Sequence, residues 1–97
     1  MIYHTAVFEF SAPLESEQLA DIKERVTGLE KLIPAVQSIA CGADLGLRDG
    51  NASFGVMATF ADQADLASYI EDPAHINVSR NVLGPHVKTK LVTQFEF

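Results

Sequence analysis

Residues 53–78 read SFGVMATFADQADLASYIEDPAHINV, and the hydrophobic period changes part-way along them. Phe54, Val56, Ala58 and Phe60 alternate with Met57 and Thr59, the period-two pattern of a strand. Asp62 then offers an N-cap, with Asp65 at the capping-box position, and Leu66 and Tyr69 follow at helical spacing. A strand therefore runs almost directly into a helix. That helix ends at Asp72-Pro73 and restarts at once. Asp72 is a favoured N-cap, Pro73 falls at the first helical position where its missing N–H costs nothing, and His75 falls at the third. Val78 and Val82 follow His75 at three and seven residues, so the imidazole shares its face with apolar side chains and is expected to point inward.

Outward from this stretch the same succession recurs. IYHTAVFEF (2–10) places Ile2, His4, Ala6, Phe8 and Phe10 on one face of a strand and Tyr3, Thr5, Val7 and Glu9 on the other. After SAP (11–13), Leu19, Ile22, Val26, Leu29 and Ile33 mark an amphipathic helix that starts near Glu15 and that Pro34 stops. AVQSIACGA (35–43) reads as a second strand, DLGLRDGNA (44–52) as a turn-rich loop, and KTKLVTQFEF (88–97), entered through GPHV (84–87), as the last strand. The order β-α-β-β-α-β spans residues 1–97 as one domain. It predicts an α+β, ferredoxin-like subunit: a four-stranded antiparallel sheet with its helices on one face.

The other sheet face is expected to carry Tyr3, Thr5, Val7, Ile39, Cys41, Met57, Thr59 and Val92, which is too apolar to leave in water. A second copy packed against this open face, with two-fold symmetry, is the expected partner. A net charge of −6 with scattered basic residues argues against nucleic acid. Cys41 is the single cysteine, so no intrachain disulfide forms, and a buried, inert thiol is expected. MIYHTAVFEF lacks a basic flank before a long apolar core, and no segment reaches membrane-spanning length. No membrane association and a cytoplasmic location are the expectations. There is no glycine-rich phosphate loop, no G-x-S-x-G and no metal-ligand spacing, so no cofactor and no metal are expected.

The residues that could carry chemistry lie around the helix break. Tyr69, on the inner face of the helix before it, and His75, just after it, are expected to line one cavity, with His4 as a third polar group. The helix N-terminus and burial both disfavour a proton on His75, while Asp72 favours one. A neutral imidazole beside a phenol could remove a proton from the carbon next to a carbonyl while the hydroxyl stabilises the enolate oxygen. The plainer reading stays open at this stage: a core histidine bonded to a carbonyl, with Tyr69 as a packing residue. His86, in GPHV, reads as a turn or strand-entry residue.

The chain resembles the stress-responsive A/B barrel (Dabb) family over essentially its whole length. The resemblance lies in His4 with its alternating strand, LIPAVQSIACGADL (32–45), FGVMATFADQADLASY (54–69), the Y-x-x-x-P-x-H of Tyr69, Pro73 and His75, and GPHV before the last strand. It implies a ferredoxin-like subunit that pairs into a dimeric α+β barrel. In plant polyketide cyclases of this family, residues matching Tyr69 and His75 drive an intramolecular aldol closure, and one matching His4 lies at the pocket. Phe8, on the same strand face as His4, and Phe54 are expected with His4 as substrate-binding residues. The chain departs from those members at Phe54, where they carry a histidine, and at Asp72, where a histidine often precedes the proline. The pocket implied is more apolar at one wall and more acidic at its mouth. The expected function is a small dimeric protein that binds a largely apolar carbonyl compound, with cofactor-independent cyclase, lyase or isomerase chemistry. The alternatives are a non-catalytic stress-associated binding protein and a cofactorless monooxygenase of the same fold.

Overall fold

A computed structural model describes residues 1–97. The strands are β1 (Ile2–Phe10), β2 (Ser38–Ala43), β3 (Phe54–Phe60) and β4 (Val87–Glu96), and they form one antiparallel sheet in the order β2-β3-β1-β4. This is the ferredoxin-like fold, with β1 central because its alternating residues are wanted on both faces. No helix is long and apolar enough to cross a membrane.

The first helical stretch is in two pieces, α1 (Ser16–Thr27) and α2 (Leu29–Leu32), broken at Gly28 where one continuous helix to Ile33 was expected. Its start is fixed by Gln18, whose Oε1 accepts from the Glu15 backbone N–H at 2.9 Å. Ile22, Val26, Leu29 and Ile33 are nevertheless all buried, as their spacing requires. Each such side chain contributes about 1.5–3 kcal/mol by leaving water. The second stretch is α3 (Gln63–Glu71), capped by Asp62 accepting from Asp65 N–H at 2.9 Å, then α4 (Pro73–Asn77), capped by Asp72 accepting from Ala74 N–H at 2.8 Å.

Beyond α4 the chain does not continue as an ordinary helix. Val78–Leu83 forms a π-helical turn, and a 3₁₀ turn over Gly84–His86 delivers the chain to β4. Val78 and Leu83 are both buried. Residues five apart lie about 140° apart around an α-helix; the wider π turn brings them to one side. The tight return requires a glycine, since a Cβ on Gly84 would stand 2.9 Å from the Ser79 carbonyl oxygen.

The inner face of the sheet carries Ile2, Ala6, Phe8, Phe54, Val56, Ala58 and Phe60, all buried, together with His4. Three residues expected on the open face belong here instead. Ile39 pairs with Ala58 and Cys41 with Val56, and both pack against the core; Cys41 Sγ also lies 3.8 Å from the Lys23 carbonyl of α1. Val92 pairs with Ala6 and so faces inward. Pairing register, not composition, sets the phase of a strand. The open face consists of Tyr3, Thr5 and Val7 with Met57, Thr59, Leu91, Thr93 and Phe95. Leu91 is 68% and Phe95 49% exposed, and Tyr3 stacks on Phe97 with ring centroids 4.0 Å apart. The helices lie over β1, β2 and β3, leaving the inner side of the edge strand β4 thinly covered.

Candidate active site

That thin cover leaves a cavity of about 180 Å³ between the sheet and the second helical stretch. His4, Phe8, Tyr69 and His75 all line it, together with Val78 and Leu83 of the π turn. Phe54, expected as a wall, does not. It is almost fully buried and packs on Phe10, with centroids 5.9 Å apart, at the other end of the core. Ser79, Lys90 and Gln94 line the cavity without having been singled out from the sequence. The signal for Lys90 and Gln94 was their shared parity with Val92, once the phase of β4 is known.

The Asp72 cap and Pro73 set the direction of α4, and His75 then turns back over α3. Its ring lies 4.2 Å from that of Tyr69, and its Nδ1 is 3.2 Å from the Ile70 carbonyl oxygen. A carbonyl oxygen only accepts, so Nδ1 carries the hydrogen and Nε2 holds a lone pair in the neutral ring. His75 thus makes the carbonyl bond of the plainer reading and also lines the cavity. His4 has the opposite arrangement. The Gln94 amide donates to His4 Nδ1 at 3.0 Å, which leaves the hydrogen on Nε2. The site therefore holds one imidazole that accepts and one that donates.

Burial is the main cause of the lowered pKa of both rings, from the ordinary 6.5. For His75 the Ile70 bond and Asp72 oppose it and Lys90 adds to it; for His4, His75 and Lys90 add to it. Tyr69 is only 2% exposed, and burial pushes its phenol up to about 12. Its hydroxyl has no protein partner, yet no sealed side-chain oxygen or nitrogen of the protein lacks one, so the hydroxyl opens to the cavity. At neutral pH it is a donor. The arrangement joins a neutral base, a protonated phenol and an N–H donor at one small apolar space.

The family profile described as Stress Responsive A/B Barrel Domain matches residues 2–97. The chain belongs to that family. Among solved structures, this A/B barrel domain is similar to a dimeric ferredoxin-like protein of unknown function from Thermobifida fusca, at 27% identity and a TM-score of 0.88, covering 99% of this chain and 90% of that one. It is similar in fold to a protein from Arabidopsis thaliana, at 20% identity and a TM-score of 0.87, covering 100% and 95% of the two chains. A hydroxynitrile lyase from Passiflora edulis is 18% identical, with a TM-score of 0.82 and coverage of 97% and 90%. No curated protein sequence matches the chain.

Proposed function

We propose that the domain is a cofactor-independent enzyme, of lyase, cyclase or isomerase type, acting on a small and largely apolar carbonyl compound. The observation that carries this reading is His75 held by Ile70 through Nδ1, so that Nε2 is a base beside the free hydroxyl of Tyr69. His75 Nε2 takes the proton from the carbon next to the carbonyl and becomes an imidazolium. The electron pair left behind moves onto the carbonyl oxygen, where the Tyr69 hydroxyl and His4 Nε2–H donate to the enolate. The enolate carbon then attacks an acceptor or is reprotonated, and His75 returns its proton. An engineered cavity of about 150 Å³ accepts benzene, so this one suits a ring-sized guest. The hydroxynitrile lyase among the similar structures supports, on fold alone, a scaffold able to house lyase chemistry.

The same proposal includes a homodimer through the open sheet face. The exposed Val7, Met57, Leu91 and Phe95 form one apolar surface on paired strands. The similar Thermobifida fusca protein is described as dimeric.

The test is deuterium incorporation next to the carbonyl of acetophenone and related aryl ketones, followed by proton NMR in heavy water. Exchange faster than buffer, lost by about a hundred- to ten-thousand-fold in His75→Gln, is expected for a positioned base. Exchange at the buffer rate for every ketone, or exchange indifferent to His75→Gln, contradicts the enzyme reading and leaves the non-catalytic binding protein.

A further inference from the structure

We propose that the guest of this cavity is an anion: a ring-sized carbonyl compound bearing a carboxylate, which rests on Lys90 while the carbonyl reaches Tyr69 and His75. The inference rests on the functional reading above and adds the charge class of the substrate.

Lys90 belongs to the inward row of β4 with Val92 and Gln94, and all three line the cavity. With both histidines neutral, it is the one formally charged residue in a wall otherwise made of apolar side chains, Tyr69, Ser79 and Gln94. The chain as a whole carries a charge of −6, yet this cation has no carboxylate within ion-pairing distance. Nearby Lys88, by contrast, pairs with Glu9 at 3.3 Å. Lys90 lines the cavity and is nonetheless exposed, the pattern of a lysine whose stem follows an apolar wall while its ammonium stays in water.

Geometry limits how such a guest sits. A carboxylate sunk among Phe8, Val26 and Leu29 would lose its hydration without compensation. At the rim it stays partly hydrated, and a compact, strongly hydrated ammonium suits it there. The cavity then encloses the ring and the carbonyl, which fills its volume. The charge of Lys90 also acts on both imidazoles, lowering their proton affinity. An anionic guest on Lys90 offsets that field, which an uncharged guest does not.

The experiment is an NMR titration of the full chain, reading Tyr69 and His75 ring signals, with phenylglyoxylate and its uncharged counterpart acetophenone. Wild type, Lys90→Met and Lys90→Arg are compared. The expectation is that phenylglyoxylate binds at least about tenfold more tightly than acetophenone, and that added salt erodes this margin. Lys90→Met removes the margin, and Lys90→Arg keeps it. Equal affinity of wild type for the two probes overturns the anion inference while leaving the cavity reading intact, as does a margin that survives Lys90→Met. If neither probe moves the Tyr69 and His75 signals, both readings fall together.

Discussion

Replacing Ala6 by Val separates an unfilled cavity from an ordinary core. Ala6 is buried on the inner side of β1 between His4 and Phe8, and it lines the cavity floor. The change adds roughly 50 Å³ of side chain, and at ~24 cal/mol per Å³ of cavity filled this amounts to about 1 kcal/mol. That is a substantial part of the 180 Å³ available. In a domain of this size the gain corresponds to a rise in Tm of about 4–8 °C. The strand favours the change as well, because a β-branched residue suits a pleated surface. The same methyl groups occupy the space meant for the guest, so acetophenone affinity should fall by more than about tenfold. Calorimetry gives Tm, and the NMR titration gives affinity on the same sample. Stability and binding must move in opposite directions. A variant that is less stable than wild type would show that the space above Ala6 is already filled, and unchanged binding would place the guest elsewhere.

Folding stability should fall as pH drops below about 6.5. His4 and His75 have folded-state pKa values below their ordinary 6.5, so in that window the unfolded chain binds more protons and is favoured. Urea midpoints across a pH series should show this loss, and His4→Gln together with His75→Gln should flatten it. Lys90→Met should raise the pKa of both histidines, because the lysine charge lowers them, and Asp72→Ala should lower that of His75; NMR titration of the ring signals reads both directions. Asp72→Ala also removes the cap on Ala74 N–H, at a cost of about 1 kcal/mol in the same urea assay. Leu91→Lys, on the open face, should halve the mass seen by light scattering. Wild type should return about twice 10.5 kDa, and a monomeric wild type refutes the dimer.

The strand and helix order was legible because each element keeps one hydrophobic period, and the Asp62 and Asp72 caps fall where side-chain chemistry places them. The phase of the strands was less legible. In β4, Leu91, Thr93 and Phe95 alternate with Val92 and Gln94, and in β2 Ile39 and Cys41 alternate with small residues. A strand with apolar side chains on both faces carries no amphipathic signal, so only pairing with β1 and β3 decides which row faces the helices. That uncertainty hid Lys90 and Gln94 and misplaced Val92. Phe54 reads as a wall only through the resemblance, at a position where other members carry a histidine, but its aromatic ring is absorbed by the core around Phe10. The π turn could not be read from a helical pattern either, because it is defined by a backbone shift and not by residue type.

The central claim is that His75 is a neutral base whose hydrogen lies on Nδ1, toward Ile70, leaving Nε2 open to the cavity. Nitrogen NMR of histidine-labelled protein at neutral pH reports this directly through the couplings of each ring nitrogen to the ring carbon-bound protons. The account predicts a protonated Nδ1 and a bare Nε2 on His75, the opposite tautomer on His4, and a shift of the bare nitrogen when acetophenone is added. A His75 ring protonated on Nε2, or on both nitrogens, contradicts it.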